Sequence, residues 1–497
     1  MRRIIFLFII FTSLAFPQSL KNYYSLIDKS DNLIYDFQFG EATDLLYQAI
    51  QLNPERPEAY QLFSKVYLWF YLGSKDALDK EHFENYSDSV VKKCKSILEV
   101  NDRDKKILYE LGNAYKFKAM MSAAVANSLD AFWATKNAVG YYEDVLDIDS
   151  TFYSAYGGIG IFEYALSFVP AFFTWALTIT GLSANENNGF EYVAKAYKFG
   201  KQDKIEFQFH YAKLYDEYLT EYEKSIKLLD PLIKQFPNNS LFLYQRAIEF
   251  IKSKNLLKAE QDLKSIIKDS HPKFAQTLSF SKFLLGDVYF RQNKYELALG
   301  FYKQFLKSTQ TIDYTGIASL RAAICNHFLG DSLEFRKYAI LASNGNQDIE
   351  EDDYAKDFSI NLLADGFSRD REIQIDIENT FLAGNYKKVV EKVNSVIDSI
   401  EVAEVTALLL NYKTSSLIEL RKLKEAKQIA NELRNYELQN SFWIKPMAFV
   451  NLAKINMIEK NYPAVKQYIL AASEFNNYSR KNLIKSYINK IKNDLKN

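Results

Sequence analysis

Four histidines, His82, His210, His271 and His327, are the first residues to ask about a transition metal. They are scattered, no two stand at metal-ligand spacing, and the His-Glu-x-x-His helix pattern is absent. Gly157, Gly158 and Gly160 resemble part of a phosphate-cradling loop, which needs a strand before it. No strand pattern precedes them, and they fall at the small-residue positions of a helical pattern, so packing is their reading. Asn344, Asn346, Asp348, Glu350 and Asp352 alternate as the oxygen ligands of a calcium loop do. The glycine that turns such a loop at its sixth position is missing, and the stretch reads as a solvated acidic connector. With no Gly-x-Ser-x-Gly elbow and no acid–base pair, the chain reads as non-enzymatic and in need of no cofactor.

What the residues do carry is a period of about 34, the spacing of stacked helix pairs. Leu285, Gly286 and Tyr289 precede Ala298, Tyr302 and Phe305 at the spacing of a tetratricopeptide repeat. The reason for these types is steric. Gly286 and Ala298 let two helices approach, and large residues fill the gaps between turns. The same phase recurs at Ala42, Leu46 and Ala49, with Pro54 where one helix must end. It returns at Leu108, Leu111 and Gly112 with Ala138, Tyr142 and Val145, and at Tyr156, Ile159 and Gly160. Looser copies run to Ala453, Val465 and Ile469, and about 11 helix pairs are expected in all. In 479–497, Leu483, Tyr487, Ile488, Ile491 and Leu495 share one face, as a capping helix requires. The fold class predicted is an all-α, tetratricopeptide-like helix-pair solenoid, wound as a right-handed superhelix, with an apolar inserted segment.

Composition narrows the partners. The 497 residues hold 62 Lys+Arg and 62 Asp+Glu, so no basic field invites nucleic acid. Only 17 Gly and 9 Pro leave little material for turn-rich sandwiches or flexible linkers. Cys94 and Cys325 sit far apart on apolar helix sides and read as buried free thiols. Most of the 35 Tyr and 37 Phe fall at repeat-core positions. The remainder can line a concave groove for a protein or peptide partner. An alternative is a glycan-, nutrient- or lipid-binding helical repeat protein of the cell envelope, suggested by the Tyr and Trp content.

The predicted organisation is 1–19 signal peptide, 20–163 N-terminal repeats, 164–188 apolar insertion, 189–343 central repeats, 344–478 C-terminal repeats and 479–497 capping helix. Arg2 and Arg3 leading into Ile4–Phe11 predict export to a bacterial periplasm or cell envelope. The insertion runs from Tyr164 to Asn185 without a charge and offers Phe168, Phe172, Phe173, Trp175 and Leu177 as apolar contacts. It is long enough to span a bilayer, but Pro170 and four hydroxyl residues dilute it. A hairpin packed on the solenoid is the leading reading, with peripheral membrane contact and a true span as the other two.

On these residues, nearly the whole chain after residue 19 resembles tetratricopeptide-repeat proteins. The unit Tyr156-Gly157-Gly158-Ile159-Gly160-Ile161-Phe162-Glu163-Tyr164, followed by the segment with Pro170 and a helix from Gly189 through Ala196 to Gly200, resembles bacterial relatives of tetratricopeptide repeat protein 39. That family also includes the yeast outer-mitochondrial-membrane inclusion-clearance protein. The resemblance implies an all-helical, non-enzymatic adaptor.

Overall fold

A computed structural model describes residues 20–168, 177, 181–438, 441–476 and 478–496. The signal segment expected at 1–19, and Phe172, Phe173 and Trp175 of the insertion, lie outside the described residues. Among the described residues there are α-helices and short 3-10 turns and no strand. In chain order the helices are α1 (20–35), α2 (Phe39–Leu52), α3 (Glu58–Ser74), α4 (Ala77–Leu98), α5 (Lys105–Ala124), α6 (Ser128–Ile148), α7 (Tyr153–Leu166) and α8 (Glu186–Phe199). They continue with α9 (Lys204–Glu217), α10 (Tyr222–Gln235), α11 (Ser240–Lys252), α12 (Leu256–Lys268), α13 (Ala275–Arg291), α14 (Tyr295–Ser308), α15 (Thr315–Phe328) and α16 (Ser332–Leu341). The rest are α17 (Glu350–Asp365), α18 (Arg369–Leu382), α19 (Tyr386–Val396), α20 (Ala403–Glu419), α21 (Leu423–Leu433), α22 (Ile444–Ile458), α23 (Tyr462–Ser473) and α24 (Lys481–Asp494). Apart from α17 and α24, these fall into eleven successive first-and-second pairs. The chain is an all-α helical-repeat solenoid.

The contacts fall into two compact units. Unit 1 holds Met1–Leu214, Lys227–Phe242 and Ser270–Ala275, and unit 2 holds Tyr215–Ile226, Leu243–Asp269 and Gln276–Asn497. In each, a helix packs on its neighbour in sequence and also on the next but one. Thus α3 stacks on α5 and α5 on α7 in unit 1, while α18 stacks on α20 and α20 on α22 in unit 2. That two-step stacking defines a helical repeat, because every unit buries its apolar stripe only against the next.

One turn builds most of the pairs. Its first residue has positive φ: Phe37, Ala126, Lys254, Asn293, Gly330, Gly384, Arg421 and Lys460. The next residue donates its backbone N–H five residues back. Asn255 reaches the Phe250 carbonyl at 2.7 Å, Asp331 that of Asn326 at 2.9 Å, and Lys422 that of Leu417 at 2.9 Å. This is the Schellman closure of a first helix, which satisfies its orphan carbonyls. The same residue then caps the second helix. Asn127, Asn255, Asp331 and Asn461 accept side-chain bonds from the N–H groups of Asp130, Lys258, Glu334 and Ala464. One residue therefore ends one helix and starts the next, which leaves no slack in the pair.

The glycines of the repeat phase receive tyrosine rings. A Cβ at Gly286 would lie 2.9 Å from the Tyr302 ring, and one at Gly112 only 2.6 Å from that of Tyr142. Gly158, on α7, meets the other edge of Tyr142 at 2.3 Å. Gly160 lets α7 approach α8, where a Cβ would be 2.9 Å from the Gly189 carbonyl oxygen. Ala42, Leu285, Tyr289, Ala298 and Tyr302 are buried, and Pro54 follows α2 in the turn before α3. Both cysteines are buried and free.

Two expectations change. The connector at 344–352 is not wholly solvated: Asp352 is fully buried and accepts from the backbone N–H of Ile317 at 2.8 Å and of Asn346 at 2.9 Å. Its carboxylate satisfies an orphan donor at the start of α15 and ties down the turn before α17, a use of alternating acidic residues that spacing alone does not reveal. In α24 the buried stripe is Ile484, Ile488 and Ile491, with Tyr487 and Leu495 at its edge and Leu483 38% exposed. A one-residue rotation of the helix places Ile484 inside instead of Leu483.

Candidate functional site

In a stacked-pair solenoid the first helices carry one face that packing leaves over, and functional side chains gather there. In unit 1 that face is polar and closely paired. From α3, Lys65 donates to Asp31 Oδ1 at 2.9 Å and to the Tyr35 hydroxyl at 3.0 Å, both on α1. From α5, Lys116 reaches Glu206 on α9 at 2.6 Å. Beside them Asp203 accepts from the Tyr109 hydroxyl at 2.6 Å and from Asn113 Nδ2 at 3.0 Å. Asn113 Oδ1 in turn accepts from the Tyr142 hydroxyl at 2.8 Å. The ring that fills the glycine notch thus hands its polar end to the inner face.

The electrostatics follow from this crowding. Burial opposes the Lys65 ammonium, but Asp31, Tyr35, Asp203 and Glu206 outweigh it and hold its pKa well above the ordinary lysine value. Burial pushes Asp31 up. Glu110 is pushed well above the usual carboxylate range by burial, with Glu58 and Asp203 adding to it. His210, 3.9 Å from Glu206, is driven down to about 3 by burial and by Lys213 and Lys116. It stays neutral at physiological pH.

Unit 2 repeats the device with arginines. Tyr302 fills the Gly286 notch and donates to Asp287 Oδ1 at 2.9 Å, and Asp287 also pairs with Arg321 and, at 3.4 Å, with Arg291. Around Tyr354 on α17, which is 44% exposed, gather the charges of Glu378 and Arg371 from α18, Arg321 from α15 and Arg480 from the turn before α24. Arg480 lies 4.3 Å from the Trp443 ring centroid and Arg371 4.8 Å from that of Phe358. The arrangement offers cations on flat aromatic supports, a surface suited to recognition.

The apolar contacts expected of the insertion are divided. Phe168 is 48% exposed and meets the Tyr164 ring at 5.1 Å, while Leu177 packs at the edge of the cluster around Tyr142 and Phe162. Among the described residues no helix is long and apolar enough to cross a membrane. The histidines are not brought together. His271 stacks on Phe70 and His327 on Phe367, with His327 Nε2 2.8 Å from Glu372. Sequence reasoning missed the polar partners of the repeat tyrosines. The signal was present in the dipeptides Gly112-Asn113 and Gly286-Asp287, in which the notch residue is followed by the hydroxyl's acceptor.

No family model matches the chain, and no curated protein matches it. Among solved structures it is similar to the TPR domain of P58(IPK), at 16% identity over 95% of this chain and 98% of that one, with a TM-score of 0.21. It is also similar to yeast Tom70, at 11% identity over 96% of both chains and a TM-score of 0.20. The APC/C hetero-tetramer Cut9-Hcn1 gives 12% identity over 89% of this chain and 85% of that one, with a TM-score of 0.27. At such identities and TM-scores, the case for the fold rests on the chain's own helix pairs and turns.

Proposed function

We propose that the chain is an exported, non-enzymatic scaffold that holds a protein or peptide partner on the inner faces of its first helices. The observation that carries this reading is Tyr354 of α17 with Arg321, Arg371 and Glu378 of the first helices α15 and α18 about it, and Arg480 beside them. Arg321 also serves the buried Asp287, but Arg371 and Arg480 lie over ring faces, and an exposed aromatic set among cations is the composition of interaction hot spots. Export rests on Arg2, Arg3 and the apolar run that follows. A kinship with bacterial relatives of tetratricopeptide repeat protein 39 rests on the unit at 156–200 and is proposed with it.

The test is a photo-crosslinking amino acid placed in cells at Tyr354 and, for comparison, at Leu257, which is 68% exposed on the second helix α12. A discrete crosslinked partner from position 354 and none from 257 is the expected result. Equal capture at both positions, or none at 354, would sink the proposal.

A further inference from the structure

Helices α3 to α7 of unit 1 are joined by short turns and run up and down, so the turns inside pairs lie along one edge and the turns between pairs along the other. The turns between pairs are charged: Glu99, Asp102, Arg103 and Asp104 join α4 to α5, and Asp149 joins α6 to α7. The turn inside the pair α5 and α6 is the opposite. From Ala119 to Thr135 the sequence carries one charge, Asp130, and lysines bound it on both sides at Lys118 and Lys136. Met120, Val125, Leu129 and Trp133 are exposed there, Leu129 by 53% and Trp133 by 43%. Leu129 and Trp133 stand one helical turn apart at the start of α6 and share a face.

The tip can leave water at little cost. Val125, Ala126 and Asn127 donate their backbone N–H groups to the carbonyls of Met121, Ala123 and Ser122 at 3.1, 3.0 and 2.9 Å. The turn therefore satisfies its own donors, which is the condition for entering an apolar phase. Asn127 Nδ2 donates to the Asp130 carboxylate at 2.5 Å, so the one acid is held by the cap of α6. Lys136 lies 5.3 Å from the Trp133 ring centroid, and an indole beside an ammonium is the pairing that suits the boundary between hydrocarbon and headgroups. A protein partner is fixed by polar bonds around a packed anchor, whereas residues 119–126 offer methyl groups, thioethers and one serine hydroxyl. Beside the tip, Leu166 shares a core cluster with Ala119 and Phe132, and Phe168 stands exposed at the head of the uncharged sequence from Tyr164 to Asn185.

We propose that the turn between α5 and α6 docks on the surface of a lipid bilayer, with Met120, Val125, Leu129 and Trp133 set among the headgroups and upper acyl chains and Lys136 reaching lipid phosphate. Burial of the four apolar side chains drives the contact, and Phe168 extends the same apolar edge. A tip of this kind enters to a depth of about 5–10 Å without spanning, so it needs no helix long enough to cross. Docking is independent of the partner-binding reading, which rests on residues of unit 2.

Position-specific fluorescence on the full chain tests this, because the apolar sequences at 4–11 and 164–185 can attach a chain to vesicles without the tip. Met120→Cys and, on the opposite edge, Val100→Cys, at a position 90% exposed, are each labelled with an environment-sensitive fluorophore, while the buried Cys94 and Cys325 stay unlabelled. Vesicles of phosphatidylethanolamine and phosphatidylglycerol are added, with and without brominated acyl chains. The expected result is emission from position 120 that shifts to the blue and is quenched by the brominated chains, with emission from position 100 unchanged. Adding Leu129→Glu and Trp133→Glu to the chain labelled at 120 should raise the lipid concentration for half-maximal quenching about tenfold or more. Both side chains are exposed, so the thermal midpoint of that variant is retained. No quenching at 120, equal quenching at 120 and 100, or an unchanged lipid requirement in the glutamate variant would each overturn the proposal. A blue shift at 120 without vesicles, together with a doubled mass in light scattering, would give the surface to a second copy of the chain and overturn it too.

Discussion

Tyr142 and Tyr302 each serve packing and polarity with one side chain. The ring fills a notch that only glycine leaves open, and the hydroxyl satisfies an Asn or Asp that would otherwise be a costly buried polar group. Gly286→Leu should therefore displace Tyr302 and break its bond to Asp287, costing about 1–3 kcal/mol or more. Urea denaturation with an unchanged midpoint would contradict the notch. Tyr302→Phe keeps the fit and loses only the hydrogen bond, so it should cost about 1 kcal/mol. His210 makes a separate, pH-linked prediction. Its folded pKa near 3 lies below the ordinary 6.5, so between these values the unfolded chain binds more protons. Stability should fall as pH is lowered through that window, and His210→Gln should flatten the fall when denaturation midpoints are compared from pH 7 to pH 4.

At the scale of the element, the shared turn residue decides the pairing. Asn461→Ala removes a cap from α23 and should cost about 1 kcal/mol. Lys460, at φ 60°, occupies a conformation that disfavours a side chain, so Lys460→Gly should stabilise the protein by about 0.5 kcal/mol. A lowered thermal midpoint for Lys460→Gly would show that its side chain earns its place by a contact. The same scale explains what was legible in the sequence. Apolar and small residues at helical period identify the pairs, because burial of a stripe against a neighbour is written in residue size and hydropathy. Hence Gly112, Gly160, Gly286 and Ala298 could be placed by spacing. The inner-face cluster could not. Lys65 and Lys116 look like any other lysine in one dimension, and only the stacking of distant pairs decides which amine meets a carboxylate. Ile484 against Leu483 is a smaller case, in which adjacent apolar residues fit the period equally well and the contact with α22 chooses.

At the scale of the whole chain, α24 is more than a polar-backed cap. Its apolar stripe covers unit 2 while Ser486 Oγ donates to the Glu217 carbonyl at 2.5 Å and Lys490 reaches Glu221 at 2.7 Å. Arg480 donates its backbone N–H to Glu350 just before the helix begins. A variant ending at residue 478 should expose Ile-rich surface of the preceding pair and associate at high concentration with little loss of helical signal. A monodisperse truncated protein in light scattering would refute the cap. Lys490→Glu, which sets like charges against Glu221, should weaken only the long tie and leave the apolar stripe intact.

That long tie bears on the order in which the chain acquires its structure. Most contacts in a helical repeat join neighbours, so folding can advance pair by pair as residues become available. Ser486–Glu217 and Lys490–Glu221 span 269 residues. While residues 217–221 wait for 486–490 to be made, that edge of unit 2 stands open during synthesis, for a time set by the length of the intervening chain. Late closure of this kind keeps the unit pliable until its last helix arrives, and any holding factor that meets the nascent protein has that interval in which to act.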